Sequence, residues 1–162
     1  YFEEWSFKHP GPVDFKRVLE RESGLELDTY FQYMLHSTHH VDVALTSVRI
    51  TSDSTFIELE RIGTLPLPVD VRITTADGTT MDHHIPQVVT QGHRPLKDGE
   101  SLQAAWPWTH PTYTLALPIS VPGCTVEVDP KRLTADADRS NNTAAFAQGL
   151  IQEWNSGGSK RP

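Results

Sequence analysis

The stretch Val69-Asp70-Val71-Arg72-Ile73-Thr74-Thr75-Ala76-Asp77-Gly78-Thr79-Thr80-Met81-Asp82-His83-His84-Ile85 decides the fold class. Its first six residues alternate apolar and polar, the two-residue period of a strand with one buried face. Asp77-Gly78 follows, a strong hairpin signal because both residues tolerate positive φ in a tight turn. Thr79 to Ile85 then reads as the return strand.

The same strand pattern extends on both sides. Upstream, Val41, Val43 and Leu45 alternate with polar residues, Val48 and Ile50 continue in strand style, and Phe56-Ile57-Glu58-Leu59-Glu60 follows. Downstream, Leu102 to Trp106 is a weaker strand, and Tyr113, Leu115, Leu117 and Ile119 alternate cleanly. Thr125 to Asp129 follows the Pro122-Gly123 turn. Six or seven short strands with turns at this spacing predict an antiparallel, Ig-like β-sandwich over residues 41–142.

The two flanks change period. In residues 1–40, Phe15, Val18 and Leu19 recur at helical spacing behind Pro10-Gly11-Pro12, and Gly24 suits a helix end. Asp28 is a good N-cap for a second helix carrying Tyr30, Phe31, Met34 and Leu35. The two helices predict a helical hairpin. At the other end, Phe146, Leu150 and Trp154 lie four apart, so residues 143–162 read as a short helix capped by Asn142 and a Gly/Ser-rich tail. The expected class is α+β, mainly β: a helical hairpin, an Ig-like sandwich and a short C-terminal helix.

Composition narrows the partners. The 162 residues carry 14 Lys+Arg against 21 Asp+Glu, a net charge of −7, and no cationic cluster exceeds two in a row. Clustered cations are what bind a phosphate backbone, so no nucleic-acid partner is expected on this reading. No apolar run approaches the ~18 residues of a membrane span. The single cysteine, Cys124, reads as a small buried hydrophobe beside Val126 and Val128. The opening Tyr1-Phe2-Glu3-Glu4-Trp5 reads as the interior of an element in a longer chain, without the basic and apolar regions of a signal peptide.

Four constellations could carry chemistry. His36 and His40 have the i, i+4 spacing of zinc ligands if the second helix reaches His40, with His39 between. No His is followed by the Glu of HExxH, and Ser37-Thr38 looks like a helix exit, so a polar helix end is favoured. His83-His84 lies in a strand, where neighbours face opposite sides, and the two cannot chelate one ion together. Asp136-Ala-Asp138-Arg-Ser140-Asn141-Asn142 opens like a calcium loop, but Asn141 replaces the turn glycine and Ala147 the final carboxylate. An Asx-rich turn is favoured there over a cation site. Trp106-Pro107-Trp108, with His110-Pro111 and Tyr113, reads as packing at a sandwich end, with sugar or peptide stacking as the alternative. There is no G-x-S-x-G, P-loop or G-x-G-x-x-G, and no catalytic, cofactor-binding or metal residue is assigned.

The run Trp5-Ser6-Phe7-Lys8-His9-Pro10-Gly11-Pro12-Val13-Asp14-Phe15, then Glu22 to Asp28 and Tyr30-Phe31, resembles the end of the catalytic domain in aminopeptidase N-like zinc metallopeptidases. It is similar to a bacterial branch with a W-x-F-K-H-P-x-P-x-D-F segment. Leu65-Pro66-Leu67-Pro68-Val69-Asp70-Val71 is similar to that family's P-x-P-V-x-V strand. Val126-Glu127-Val128-Asp129-Pro130, Asp136, Asp138-Arg139 and Asn141-Asn142 resemble the end of the same branch. The resemblance spans residues 1 to about 142. It implies a C-terminal piece of a metallopeptidase, with the parent's catalytic domain as partner and zinc and a peptide substrate belonging to the parent. The family's HExxH helix, distal glutamate and catalytic tyrosine match no residue here, and Tyr1, Tyr30, Tyr33 and Tyr113 do not fit the tyrosine segment. The piece is expected to brace the catalytic domain and to have no zinc site of its own. Self-association through the helical hairpin is also expected. The alternative is a free-standing Ig-like module that binds sugar or protein.

Overall fold

The computed structural model describes residues 1–88, 92–145 and, as backbone, 152–155. The chain divides into two compact units, Tyr1–Thr38 and His39–Pro162.

The first unit holds α1 (Phe2–Trp5), α2 (Pro12–Ser23) and α3 (Asp28–Leu35). Pro12 opens α2, where its missing N–H costs nothing. The Gly11 N–H donates to Asp14 Oδ2 at 2.9 Å and ties the first turn. Gly24, at φ 69°, ends the helix and donates its N–H to Glu20 O at 2.9 Å. Val18 and Phe31 are the buried side chains of α2 and α3, and the Phe15 and Phe31 rings lie 6.5 Å apart. One expectation needs correction: Asp28 is not the cap of α3 but its first residue, because Leu27 stands at the cap and its carbonyl accepts the Phe31 N–H at 2.9 Å. The helix stops at Leu35, so His36 and His40 share no helical face, in keeping with the favoured reading of a polar helix end.

The second unit contains two sheets. One runs in the order β6 (Thr112–Leu117), β2 (Thr55–Arg61), β1 (Val43–Ile50), β9 (Gln152–Asn155) and is antiparallel throughout. The other runs β5 (Glu100–Leu102), β4 (Thr80–Ile85), β3 (Val69–Thr74), β7 (Thr125–Val128), β8 (Thr143–Ala145). Its pairings are antiparallel except β4–β5, which is parallel. The expected strand through Trp106 stops at Leu102, and Trp106 forms only an isolated bridge with Gln87.

Each sheet buries one face. Leu45, Val48, Ile50, Ile57, Leu59 and Leu115 are at most 1% exposed in the first sheet. Val69, Val71, Ile73, Ile85, Val126 and Val128 are buried in the second. In β1 the buried parity changes from odd (Val43, Leu45) to even (Val48, Ile50). A bulge between Leu45 and Ser47 absorbs that change, because one extra residue returns the apolar set to the same face.

The Asp77-Gly78 turn is longer than a two-residue hairpin. Thr74 pairs with Thr80, and residues 75–79 form the connection. The Gly78 N–H donates to Thr75 O at 2.9 Å, Gly78 sits at φ 87°, and the Thr75 N–H donates to Thr79 O at 2.9 Å. This is a β-turn followed by a glycine bulge. Asp77 Oδ1 accepts from the Thr75 hydroxyl and, at 3.1 Å, from the Thr79 N–H.

The C-terminal helix is a further correction. Thr143–Ala145 pairs with β7 and Gln152–Asn155 pairs with β1, so both described pieces of residues 143–162 are strands. Asn142 precedes a strand and closes the short 3-10 helix Arg139–Asn141 behind it, rather than opening a C-terminal helix. Phe146 and Leu150 lie outside the described residues, so the four-residue spacing that suggested a helix rests on positions of which only Trp154 is placed, in a strand.

Gly63 marks a close backbone approach. Ile62 and Gly63 both donate their N–H to Asp42 O at 2.9 Å. A Cβ at Gly63 would stand 2.4 Å from His40 O and 2.5 Å from Asp42 N. Gly63→Ala should therefore cost roughly 1–3 kcal/mol through overpacking against backbone. Gly78→Val should cost roughly 1 kcal/mol or more, because a β-branched residue resists positive φ. Urea denaturation midpoints check both, and an unchanged midpoint would contradict the corresponding backbone geometry.

Candidate functional site

The densest polar constellation lies on the outer face of the second sheet. In β3, Val69, Val71 and Ile73 point inward, so Asp70, Arg72 and Thr74 point outward. The β3–β4 register sets Asp70 opposite His84 and Arg72 opposite Asp82. Arg72 grips Asp82 with two hydrogen bonds of 2.7 Å, and this pairing holds the Asp82 carboxyl below its usual pKa.

The second pair extends into a network. His84 Nδ1 lies 2.6 Å from Asp70 Oδ1. Arg94 Nη2 donates to both Asp70 oxygens at 2.9 Å. The same guanidinium donates to Glu100 through Nη1 and Nη2, each at 2.6 Å. The Lys97 N–H adds 3.0 Å to Glu100 Oε2, and Lys131 Nζ stands 3.9 Å from Oε1. Glu100 is held at a pKa of about 2, chiefly by the Arg94 hydrogen bonds, and Arg94 is raised in turn by Glu100. This fork-to-fork geometry joins β3, β5 and the 86–99 connection.

His83, on the opposite side of β4, belongs to the interior. It is 6% exposed and accepts from Gln103 Nε2 at 3.0 Å through Nδ1. Burial pushes its pKa below the usual value. His83 and His84 do point to opposite sides, in keeping with the strand reading.

The Asp136 loop is an internal tie. Asp136 Oδ2 accepts from the Val43 N–H at 3.3 Å and from Asn142 Nδ2 at 3.2 Å, while Oδ1 accepts from the Asp138 N–H at 3.0 Å. Asp138 Oδ1 accepts from the Ser140 N–H and hydroxyl at 3.1 and 2.5 Å. Asn141 Nδ2 reaches buried Asp42 at 3.1 Å. Nearby, Asp129 takes the N–H groups of Leu133 and Thr134, the Thr134 hydroxyl and Arg139 Nη1. Burial raises the Asp129 carboxyl, and these donors outweigh it, leaving the pKa below the usual value. The carboxylate oxygens thus face N–H and O–H donors, the arrangement of the Asx-turn reading.

The aromatic cluster is mostly interior. Trp106 is fully buried, stacks 5.4 Å from Tyr113 and donates Nε1–H to His110 O at 2.9 Å. Arg61 lies 5.8 Å from the Trp106 ring and donates to the Trp108 carbonyl. Trp108 alone of the two tryptophans is exposed, so no two-ring stacking platform forms. Cys124 is fully buried, and burial raises its thiol pKa, as expected of an inert core cysteine. His36, His39 and His40 are exposed, and His39 Nδ1 bonds Thr64 Oγ1 at 2.5 Å.

Among the described residues, one group of three acidic ligand atoms comes within 4.8 Å: Glu20, Glu26 and Asp28. Lys16 is ion-paired to Glu20 and Asp28 there. A notch lined by Val41, Val69, Asp129 and Asp136 has room for about one water. Sequence reading missed Arg94 and Glu100. The signal that could have found them is an Arg and a Glu in the connection that follows a strand already carrying an outward Asp. Comparison with known proteins gives no matching family model, curated protein or solved structure.

Acid titration should read these environments. A carboxyl with a lowered folded pKa stabilises the fold fully above its unfolded value, and the gain is lost as pH falls through the folded value. For Glu100 that window runs from 4.5 down to about 2. A His with a lowered folded pKa binds its proton more readily unfolded, so His83 contributes fully above 6.5 and less below. Urea midpoints should therefore decline in two stages on acidification. Glu100→Gln should shrink the lower stage, which Asp82 and Asp129 share, and His83→Phe should shrink the upper one. A midpoint that stays level from about pH 7 to about pH 3 would contradict both assignments. Calcium at millimolar concentration should leave the melting temperature unchanged, because Asp129 and Asp136 already have donors. A saturable rise abolished by Asp136→Ala would overturn that.

Proposed function

We propose that the chain is the non-catalytic C-terminal portion of an aminopeptidase-like zinc metallopeptidase. In this reading the helical unit and an Ig-like sandwich brace the parent's catalytic domain. The observation that carries it is the exposed apolar surface of residues 1–38. Phe2 is 80% exposed, Phe7 fully exposed, Leu35 62% and Leu25 61%. Soluble monomers rarely leave so many large apolar groups uncovered close in sequence, and a neighbouring domain is the natural cover. Phe7 also holds φ 62°, a conformation a bulky residue adopts only under constraint. Phe2 and Phe7 lie beside and in the Trp5–Phe15 run that resembles the metallopeptidase family.

The parent reaction would be attack of water on a peptide carbonyl, with zinc as Lewis acid and a glutamate as general base. The residues of this chain do not fit the family's zinc ligand set, so no step of that reaction is assigned to them. The polar networks around Glu100 and Asp129 serve the architectural reading, since they tie loops to strands. The rival reading of a sugar- or protein-binding module loses its aromatic platform with the burial of Trp106.

The deciding test is the reading frame ahead of the Tyr1 codon, where an HExxH helix and a distal glutamate are expected. A complete gene without them overturns the proposal. Purified residues 1–162 should not hydrolyse amino-acid anilides with added zinc. In light scattering the chain should self-associate, and Phe2→Ser with Phe7→Ser should shift it towards monomer. A wild type that stays monomeric at high concentration would contradict the need for a covering partner.

A further inference from the structure

His84 is 2% exposed, and its Nε2 has no hydrogen-bond partner. A buried ring nitrogen left unsatisfied calls for a physical cause. The other nitrogen is committed: Nδ1 lies 2.6 Å from Asp70 Oδ1, and Asp70 is itself paired with Arg94. A carboxylate only accepts, so Nδ1 carries the proton and Nε2 presents its lone pair. The His93 ring lies beside it, with centroids 6.4 Å apart and planes at 63°. His93 Nδ1 is 2.7 Å from the Arg94 carbonyl oxygen. A carbonyl cannot donate, so His93 is fixed in the same tautomer, again with Nε2 open.

We propose that His84 and His93 together bind a divalent transition-metal ion of the imidazole-preferring class, Zn²⁺, Ni²⁺ or Cu²⁺, through their Nε2 atoms. A metal-ligating histidine characteristically donates its other ring N–H to a carboxylate or a backbone carbonyl, and here each ring has one of the two. Two imidazoles on one ion, with bonds of ~2.0–2.1 Å, place their centroids roughly 5 Å apart at a tetrahedral angle and roughly 6.5 Å apart when they face each other across the metal. The observed 6.4 Å matches the opposed arrangement, and a tetrahedral ion would draw the exposed His93 ring inward by about 1 Å. Arg94 and Lys131 balance Asp70 and Glu100, so no net positive field opposes a cation. His83 is not a ligand, because it lies on the other face of β4 beside Val71. Two protein ligands leave the remaining positions to water or a third group, so binding is weaker than at a four-ligand structural site. The inference does not depend on the metallopeptidase reading.

The test is a Zn²⁺ titration of the ¹⁵N-labelled full chain, followed in long-range ¹H–¹⁵N spectra of the imidazoles. Before zinc, both rings should show the Nδ1–H tautomer. With zinc, the Nε2 signals of His84 and His93 should shift together and saturate at one equivalent. His93→Ala, an exposed change expected to keep the fold, should weaken that event at least tenfold, while His39→Ala should leave it intact. Zinc that perturbs only His36, His39 or His40, or a His93→Ala chain that binds like wild type, would overturn the proposal.

Discussion

The register of the β3–β4 hairpin is the constraint on which the second sheet depends. Strand faces alternate with every residue, so a slip of one position would exchange inner and outer side chains on one strand. With Thr74 opposite Thr80, Val71 meets His83 inside, and Asp70 meets His84 outside. A two-residue turn at Asp77-Gly78 would instead set Asp70 opposite Ile85. The glycine bulge at Gly78 prevents this by inserting one more residue into the connection. The Arg72–Asp82 pair, the Asp70–His84 contact and the Arg94 fork all follow from that residue.

Carboxylates provide the second level of organisation. Asp136 ties the residue 134–142 loop to the start of β1, and Asp129 closes the turn after β7 with four donors. Glu100 draws Arg94 against the sheet. Glu100 and Asp129 are both held below the usual carboxylate pKa, so acid would release these two ties. Asp42, buried beneath Gly63, adds a backbone tie in which its carbonyl serves two N–H donors.

Much of this was legible in the sequence where one face of an element is apolar. The strands of β1, β2, β3, β6 and β7 emerge from alternation, and α2 from Pro12, its apolar spacing and Gly24. The parity break between Leu45 and Val48 was also visible, and a bulge is its physical meaning. The terminal strands were not legible. Thr143–Ala145 is short and becomes a strand through pairing with β7, while Trp154 was placed in a helix by a spacing that says nothing about a partner strand. The parallel β5 could not be read locally either, because parallel pairing follows from the path of a connection. The candidate site was half visible: that His83 and His84 face opposite sides follows from the strand, yet which ring enters the core and which joins Asp70 needed the hairpin register, and Arg94, Glu100 and His93 needed the fold of the connection.

Hairpin register is also directly measurable. Cross-strand Hα–Hα nuclear Overhauser effects in the folded chain should link Arg72 with Asp82 and Asp70 with His84, continuing from a Thr74–Thr80 pair at the turn. Contacts linking Asp70 with Ile85 and Arg72 with His83 would mean a tight two-residue turn, and would contradict the placement of every polar group on the outer face of the second sheet.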